Sequence, residues 1–294
     1  DRGRRGAAVP ADAFELACRM IAGGDVDRLA EWMGKFPGLV KERDHPDGAG
    51  RCPTLLHEVA RQQDPELAGA LAAMAALLLR DGAIIDAGDR NEGGEAPLHF
   101  ACRHQNAAVC EVLLRSGADL EAPGSYDSGI DTPLGYALFF GRPAAAAGTP
   151  PCVHLLLHYG AQVDLPFAAA LGRLERVRQF FHVDQGLLPI AGIAAPERTI
   201  AQALLFAAQY GRTDIADYLL RQGADINACL PFFDHYCTAL HLACEYGQQT
   251  DLVAFLLDRG ADPTLADHRY EATPLGWAMF CGQDEVFRLL RSRG

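Results

Sequence analysis

A seven-residue phrase that returns almost unchanged constrains this chain more than any other feature of its sequence. Residues 219–225 read LLRQGAD, and residues 256–262 read LLDRGAD. Between them, residues 238–243 read TALHLA, so that a helix, a glycine, a second apolar helix and a glycine follow one another. One such unit cannot bury its own apolar face, because its two helices leave one side open. The chain is therefore predicted to stack many copies of this helical hairpin into one elongated array.

Capping residues mark where the helices of each copy begin and end. Thr238 is predicted to be an N-cap, since its hydroxyl can accept from the free amides of the first helical turn. Gly223 and Gly260 follow the second helix and are predicted to adopt positive φ, as helix-ending glycines often do. In other copies of the unit a proline follows the cap position, at Pro97, Pro133 and Pro274. The missing N–H of proline costs nothing there, because that amide has no partner within the helix.

The recurring unit resembles an ankyrin repeat, whose signature is T-P-L-H-x-A on a unit of about 33 residues. It is similar to bacterial-type proteins with many such repeats, which implies an all-α solenoid of helix-turn-helix units with β-hairpin fingers. The resemblance covers a single domain, residues 11–294, behind a disordered lead at residues 1–10. About eight units are predicted, at residues 11–41, 42–88, 89–122, 123–164, 165–197, 198–228, 229–264 and 265–294.

Unit five departs from the pattern. Only 12 residues separate Gly160 from Gly172, whereas 24 separate the corresponding Gly223 and Gly247, so the finger of this unit is predicted to be missing or vestigial. A stretch punctuated by glycine and proline, residues 184–197, then leads into unit six. The sequence therefore predicts an irregularity at unit five, with a gap in the row of fingers.

The net charge and the cysteines indicate which cellular compartment and which class of partner this chain favours. Asp and Glu number 38 against 26 Lys and Arg, a net charge of −12, which disfavours nucleic acid and anionic lipid and favours basic partners. The longest alanine- and leucine-rich run, residues 67–79, is too short to cross a bilayer, and no signal-peptide pattern opens the chain. The nine cysteines are scattered, which is typical of reduced thiols. These features predict a cytoplasmic protein without a membrane or nucleic-acid partner.

Histidines and cysteines within the repeats invite a catalytic or metal-site interpretation. The resemblance instead implies that the motif histidines His57, His99 and His241 tie neighbouring units by hydrogen bonds. Zinc accepts histidine and cysteine ligands, but the ones that crowd together in unit seven are predicted to face different directions. No Walker-type loop, Gly-x-Ser-x-Gly or His-Glu-x-x-His occurs. The sequence thus predicts no metal, no cofactor and no familiar catalytic motif. The crowded ligand-type residues of unit seven are His235, Cys237, His241 and Cys244.

The concave side of such a stack is the surface that solenoids use for binding. The resemblance implies that the last turn of each first helix and the fingers line this side. Aromatic side chains are favoured in partner-binding surfaces, and together with carboxylates they suit a cationic segment. The predicted partner-binding residues are Arg103, His104, Phe139, Phe140, Tyr210, Glu245, Tyr246 and Phe280 at helix ends, and Tyr126, Asp127, Asp131, Phe232, Phe233 and Tyr236 on fingers. Further helix-end positions are Arg61, Gln62, Gln209 and Cys281.

For Phe139, Phe140 and Phe280, packing against the adjacent unit is an equally good interpretation, because aromatic side chains are as common in cores as in binding surfaces. The long finger that carries Phe232 and Tyr236 has a second interpretation as well. In that interpretation the finger folds back over residues 184–197 and covers them.

Functions from different classes fit these residues. The first is a non-catalytic module that binds a protein or peptide, preferentially a basic one, in an aromatic and acidic concave groove. The alternative is an ankyrin-scaffold enzyme, or a binder of a small apolar or cationic ligand, with an aromatic-lined pocket closed by the long insertions. A deep enclosed cavity favours the enzyme or small-ligand alternative, and an open groove favours the binding module. A third hypothesis, a purely structural spacer, predicts no aromatic surface patch. The acid–base candidates of the alternative are Glu245, Asp131, His104 and His235.

Overall fold

The computed structural model describes residue 10 and residues 12–44, 53–89, 94–126, 130–141, 149–182, 186–187, 196–232, 235–245 and 249–293. Apart from residue 10, the predicted disordered lead lies outside these residues. The described chain is mainly helical and forms two compact units. The first unit comprises Asp1–Ser125, Asp131–Arg142 and Pro150–Ala161, and the second comprises Tyr126–Ile130, Pro143–Thr149 and Gln162–Gly294.

Four consecutive helical hairpins make up the described part of the first unit. The odd-numbered first helices pack against one another in order, and so do the even-numbered second helices. This is the two-layered stack that the repeats predict. The helices are α1 (Ala13–Ala22), α2 (Val26–Lys35), α3 (Leu55–Ala60), α4 (Ala68–Arg80), α5 (Pro97–Arg103), α6 (Ala107–Arg115), α7 (Pro133–Phe140) and α8 (Pro151–Tyr159), with short 3₁₀ helices at Pro37–Lys41 and Pro65–Leu67.

The second unit repeats this arrangement. Its helices are α9 (Leu165–Ala170), α10 (Leu174–Arg178), α11 (Pro196–Gln209), α12 (Thr213–Arg221), α13 (Ala239–Glu245), α14 (Thr250–Asp258), α15 (Pro274–Phe280) and α16 (Asp284–Arg293). The first helices α9, α11, α13 and α15 pack in order, while α10 contacts α12 and α14 contacts α16. Only five residues, with no strand among them, separate the end of α8 from the start of α9, so the predicted irregularity at unit five is confirmed.

Two antiparallel hairpins accompany the helices of the second unit. Strand β1 (Phe181–His182) pairs with β2 (Gly186–Leu187), and β3 (Leu230–Phe232) pairs with β4 (His235–Cys237). The second hairpin is the finger predicted in unit seven. The first begins just before the stretch that the sequence predicts to be irregular.

The predicted capping residues lie at the helix ends, although the Thr238 hydroxyl donates to Nδ1 of His241 at 2.8 Å and does not cap an amide of the first turn. The hydroxyl oxygen of Thr273 accepts from the N–H of Gly276 at 3.4 Å, so a threonine satisfies one free amide of the first turn of α15. Gly223 and Gly260 have φ of 91° and 93° directly after second helices. A side chain is strained at that backbone conformation, which is why glycine occupies both positions.

The motif histidines join consecutive repeats within each unit. Nδ1 of His57 accepts from the N–H of Thr54 at 3.1 Å, and its Nε2–H donates to the carbonyl of Glu95, in the next repeat, at 2.9 Å. All three rings are buried, and burial lowers their pKa, that of His57 to about 4. Neutral rings can accept at one nitrogen and donate at the other, so the predicted scaffold role is confirmed. The same bonds join His99 to Ala96 (3.0 Å) and Ala122 (3.0 Å), and His241 to Thr238 (3.3 Å) and Ala272 (3.1 Å).

Candidate functional site

The ends of the first helices α3, α5 and α7 carry polar and aromatic side chains at the surface of the first unit. We call Arg61, Arg103, His104 and Phe140 the first-helix row. The side chain of Arg61 is 51% exposed and that of Arg103 is 20% exposed. Nε2 of Gln63 donates to Nδ1 of His104 at 2.7 Å, which links the segment after α3 to the end of α5. The row therefore runs across three consecutive repeats.

Arg103 is held in one orientation by a carboxylate and two aromatic rings. Its Nη2 donates to Oε1 of Glu95 at 3.1 Å. Its guanidinium carbon lies 4.4 Å from the ring centroid of Phe140 and 5.3 Å from that of Tyr136. An ion pair and stacked rings together limit the conformations of a long side chain. The structure thus brings together Arg103 and Phe140, which the sequence predicts separately as binding residues.

Glu95 is the centre of this arrangement, although the sequence analysis does not single it out. Its Oε1 also accepts from the Ser125 hydroxyl at 2.8 Å and the Tyr136 hydroxyl at 2.7 Å. The Glu95 side chain is only 4% exposed. Burial, and then the nearby Glu95 charge, raise the pKa of Tyr136, so its phenol stays protonated and donates. A weak signal exists in the sequence, since Glu95 directly precedes a helix cap and Tyr136 directly follows the glycine that replaces a motif histidine.

The second unit shows the same arrangement, in which a glycine replaces the motif histidine and an aromatic residue follows it. Trp277 directly follows Gly276, and its Nε1–H donates to Oδ2 of the buried Asp267 at 2.9 Å. Its ring lies 5.4 Å from the ring of His241 in the preceding repeat. Tyr136 likewise packs on the histidine of the repeat before it. Where Gly135 and Gly276 replace a motif histidine, the side chains that reach the finger are therefore those of Tyr136 and Trp277. The repeats still stack on one another.

The bond from Trp277 to a charged acceptor leads to a measurable prediction. We expect Trp277→Phe to lower the free energy of unfolding by about 2 kcal/mol, because it leaves a buried carboxylate with one donor fewer. Urea unfolding followed by circular dichroism measures this loss. The matched control is Trp32→Phe, whose indole donates to the neutral carbonyl of Ala13 at 3.2 Å and whose loss costs about 1 kcal/mol. Equal losses in the two variants would contradict the special role of Asp267.

The remaining predicted binding residues fall into three groups. Phe139 and Phe232 are 5% and 0% exposed and pack in the cores of their units, so they are not available at a surface. Asp131 is buried, Tyr126, Tyr210 and Glu245 are half-buried, and Tyr236 and Phe280 are 43% and 92% exposed. Asp127, Phe233, Tyr246 and the side chain of His235 lie outside the described residues.

Comparison with protein families decides the class of this chain. The family described as "Ankyrin repeats (3 copies)" matches residues 56–167, 165–267 and 204–294. The chain belongs to the ankyrin-repeat family. The stacked hairpins and the histidine bonds between repeats are thus those of an ankyrin-repeat fold, and the resemblance stated from the sequence is confirmed.

Several curated proteins are similar to this ankyrin-repeat chain. Ankyrin repeat protein nuc-2 of Neurospora crassa is 27% identical over 96% of the chain and 25% of its own length. Ankyrin repeat and SOCS box protein 6 of Homo sapiens is 42% identical over 27% of the chain and 18% of its own length. The chain spans a quarter or less of both relatives. The crystal structure of the human ASB11 ankyrin repeat domain has a TM-score of 0.37 at 21% identity, covering 82% of this chain and 98% of that one. The bacterial type stays a prediction.

Two clefts of the second unit can be compared with the acid–base candidates of the enzyme alternative. A cleft of about 450 Å³ is lined by Thr250, Asp251 and residues 283–286, and one of about 710 Å³ lies between the start of α11, the end of α12 and β3. Neither is lined by Glu245, Asp131 or His104. Within the described ranges, no group of three or more His, Cys, Asp or Glu residues could hold a metal ion. In the same part of the chain, no helix combines the length and hydropathy that a bilayer crossing requires.

Proposed function

We propose that this ankyrin-repeat chain is a non-catalytic module that binds an extended segment of a protein partner along the first-helix row. The observation that carries the proposal is the fixed orientation of Arg103 on Phe140 and Glu95. A side chain that is already ordered loses little entropy when a partner contacts it. Arginine and aromatic residues are also the types that contribute most to binding in protein interfaces.

The exposure of the row fits a contact surface. Arg61 and Arg103 each pair with a glutamate that is almost fully buried, Glu58 or Glu95, and both arginine side chains remain partly exposed. Burial, and then the charges of Arg103 and Arg61, lower the pKa of His104, so its imidazole is neutral near pH 7. The row therefore offers hydrogen-bond donors, an uncharged imidazole and an aromatic ring, which together suit a mixed polar and apolar peptide.

The proposed contact residues of the second unit, taken by itself, are aromatic and acidic. The net charge of −12 favours a basic partner segment over nucleic acid or an anionic membrane. Tyrosine and glutamate side chains near helix ends and fingers would contact its cationic residues through ion pairs and cation–π contacts. We include Tyr126, Tyr210, Tyr236 and Glu245, all of the second unit, as contact residues of that unit, and leave out Asp131, Phe139 and Phe232, which are buried.

The cysteines fit the proposed cytoplasmic location. The eight cysteines within the described ranges are all free thiols. Burial raises the pKa of Cys244 to about 12 and that of Cys18 to about 12, so these thiols stay protonated and unreactive near neutral pH. Such a set of thiols persists most readily in a reducing compartment.

Selection from a display library of random linear peptides tests the proposal. We expect wild-type protein to enrich a family of peptides that combine hydrogen-bond acceptors with apolar residues, because the first-helix row offers donors and an aromatic ring. Phe140→Ala should weaken the selected peptides by about thirty-fold, because truncating a central aromatic contact costs about 2 kcal/mol. Isothermal titration calorimetry with one synthetic peptide measures the change.

The chain offers a matched control for Phe140→Ala. Phe255, on the second helix α14, is also half-buried and carries a stacked arginine, with the guanidinium carbon of Arg259 4.7 Å from its ring centroid. Phe255→Ala removes a similar ring from a second helix and should leave the peptide affinity within about two-fold of wild type. Failure to enrich any peptide, or equal losses in both variants, would overturn the proposed function.

A further inference from the structure

Helix α11 begins earlier within its repeat than α13 does in the repeat that follows. Thr238 and Gln202 are corresponding positions, since each lies nine residues before the glycine that follows the first helix. Helix α13 begins directly after Thr238, whereas α11 begins at Pro196, six residues before Gln202. The chain just before α13 forms the finger of strands β3 and β4. The early turns of α11 therefore stand in the sequence where the next repeat has part of its finger.

A cleft of the second unit lies at these early turns. It has a volume of about 710 Å³ and is lined by the start of α11, the end of α12 and β3. Small-molecule sites have volumes of roughly 300–1,000 Å³ and walls that are mostly apolar. Ile200 and Ala201 of α11 line this cleft and are buried, and Leu230 of β3 lines it and is half-buried. The cleft therefore offers an apolar wall at the scale of a small organic molecule.

The charged groups of the cleft indicate which molecule it suits. Two carboxylates and one guanidinium line it, those of Glu197, Asp225 and Arg198. Oδ1 of Asp225 accepts from the N–H of Asn227 at 2.9 Å, which orients this carboxylate. Gln222, at the end of α12, also lines the cleft, and the C-terminal end of a helix carries a partial negative charge. Glu197 lies in the first turn of α11 and offsets the partial positive charge of that helix end. The excess of negative charge favours a cation.

We propose that this cleft binds a small organic cation, an ammonium group carried on a short apolar body. The ammonium group pairs with the carboxylate of Asp225 beside the end of α12, and Glu197 adds to the attraction. The apolar body contacts Ile200 and Leu230, which removes its surface from water. The site does not depend on the proposed peptide binding, because all of its residues belong to the second unit and the first-helix row belongs to the first.

Isothermal titration calorimetry with three ligands that share a phenyl ring tests the chemistry of the site. The probe is phenethylamine, a primary amine that is protonated at pH 7. Its comparisons are 2-phenylethanol, which is neutral, and 3-phenylpropionate, which is an anion. We expect phenethylamine to bind at least about ten-fold more tightly than either comparison ligand, because only the ammonium group pairs with the carboxylates. Absence of phenethylamine binding, or equal affinity for all three ligands, would overturn the inference.

Variants of the cleft test its location. Asp225→Asn keeps an acceptor for the N–H of Asn227 and removes the charge, so it should weaken phenethylamine binding by about ten-fold. Ala228→Leu, at a half-buried lining position, should abolish binding by filling the cleft, with circular dichroism reporting an unchanged fold. The matched control is Asp251→Asn, an exposed carboxylate that lines the other cleft of the second unit, which should stay within about two-fold of wild type. Unchanged binding in Asp225→Asn, or equal weakening in both aspartate variants, would overturn the inference.

Discussion

Acidification from pH 6.5 to pH 4 will lower the free energy of unfolding by several kcal/mol, with the motif histidines as the main cause. Burial lowers the pKa of His57 from 6.5 to about 4, and it lowers the pKa values of His99 and His241 as well. In the unfolded chain the three histidines bind protons near pH 6.5, whereas in the folded chain the buried rings bind protons only at lower pH. The stability that the neutral rings contribute is therefore complete above pH 6.5 and is lost as the pH falls toward the folded-state pKa. For His57 alone the loss is about 3 kcal/mol.

Urea unfolding at stepped pH values, followed by circular dichroism, measures this loss. Glu58 acts in the opposite direction, because burial raises its pKa and the folded state then binds its proton more readily. The comparison of wild type with His57→Gln isolates the histidine, since glutamine keeps a donor amide and does not titrate. We expect a shallower pH dependence in His57→Gln and an unchanged one in the control His154→Gln, at an exposed position on α8. The same pH dependence in wild type and His57→Gln would contradict the account.

Replacement of Glu95 by alanine is expected to destabilise the first unit by about 3 kcal/mol, because it removes the carboxylate that three donors share and leaves the buried Tyr136 hydroxyl and the largely buried Arg103 without their acceptor. Those donors are Arg103, Ser125 and Tyr136, at 3.1, 2.8 and 2.7 Å. The partial exposure of Arg103 keeps the loss at the lower end of the range for broken buried ion pairs.

A series of variants separates the charge from the hydrogen bonds. Glu95→Gln keeps the shape and loses the charge, and we expect a loss between those of the alanine variant and wild type. Tyr136→Phe removes one bond to a charged group and should cost about 2 kcal/mol. Chemical denaturation measures all three variants. A change of less than about 0.5 kcal/mol in Glu95→Ala, the range typical of surface substitutions, would show that Glu95 does not hold this part of the stack together.

The fold could be predicted because its determinants recur at fixed spacing. In three repeats a motif histidine lies three residues after the cap, and in each of these its ring meets its own cap amide and a backbone carbonyl further along the chain. Gly223 and Gly260 likewise stand where each second helix ends, and both have positive φ. Local rules of this kind need no knowledge of the tertiary structure.

The candidate site could be predicted only in part, because its side chains depend on exact orientation. Phe139 and Phe140 are adjacent in the sequence, yet the first is 5% exposed and buried, and the second carries Arg103. Neighbouring helical residues point in different directions, and composition does not say which one faces the core. The bond from Tyr136 to Glu95 spans 41 residues, and the residues that correspond to Tyr136 in other repeats are Glu58, Phe100, Leu242 and Trp277. Without a recurring pattern, such a contact has no signal in a single sequence.

The central claim, that a partner segment lies along the first-helix row, is tested most directly by site-specific photocross-linking. A photoreactive amino acid is placed at Arg61, at the end of the first helix α3, or at Arg80, at the end of the second helix α4 of the same hairpin. Both arginine side chains are well exposed, at 51% and 70%, so neither position disturbs the core. We predict that a display-selected peptide cross-links to the probe at Arg61 and not to the probe at Arg80. Equal cross-linking at both positions, or cross-linking at Arg80 alone, would contradict the claim.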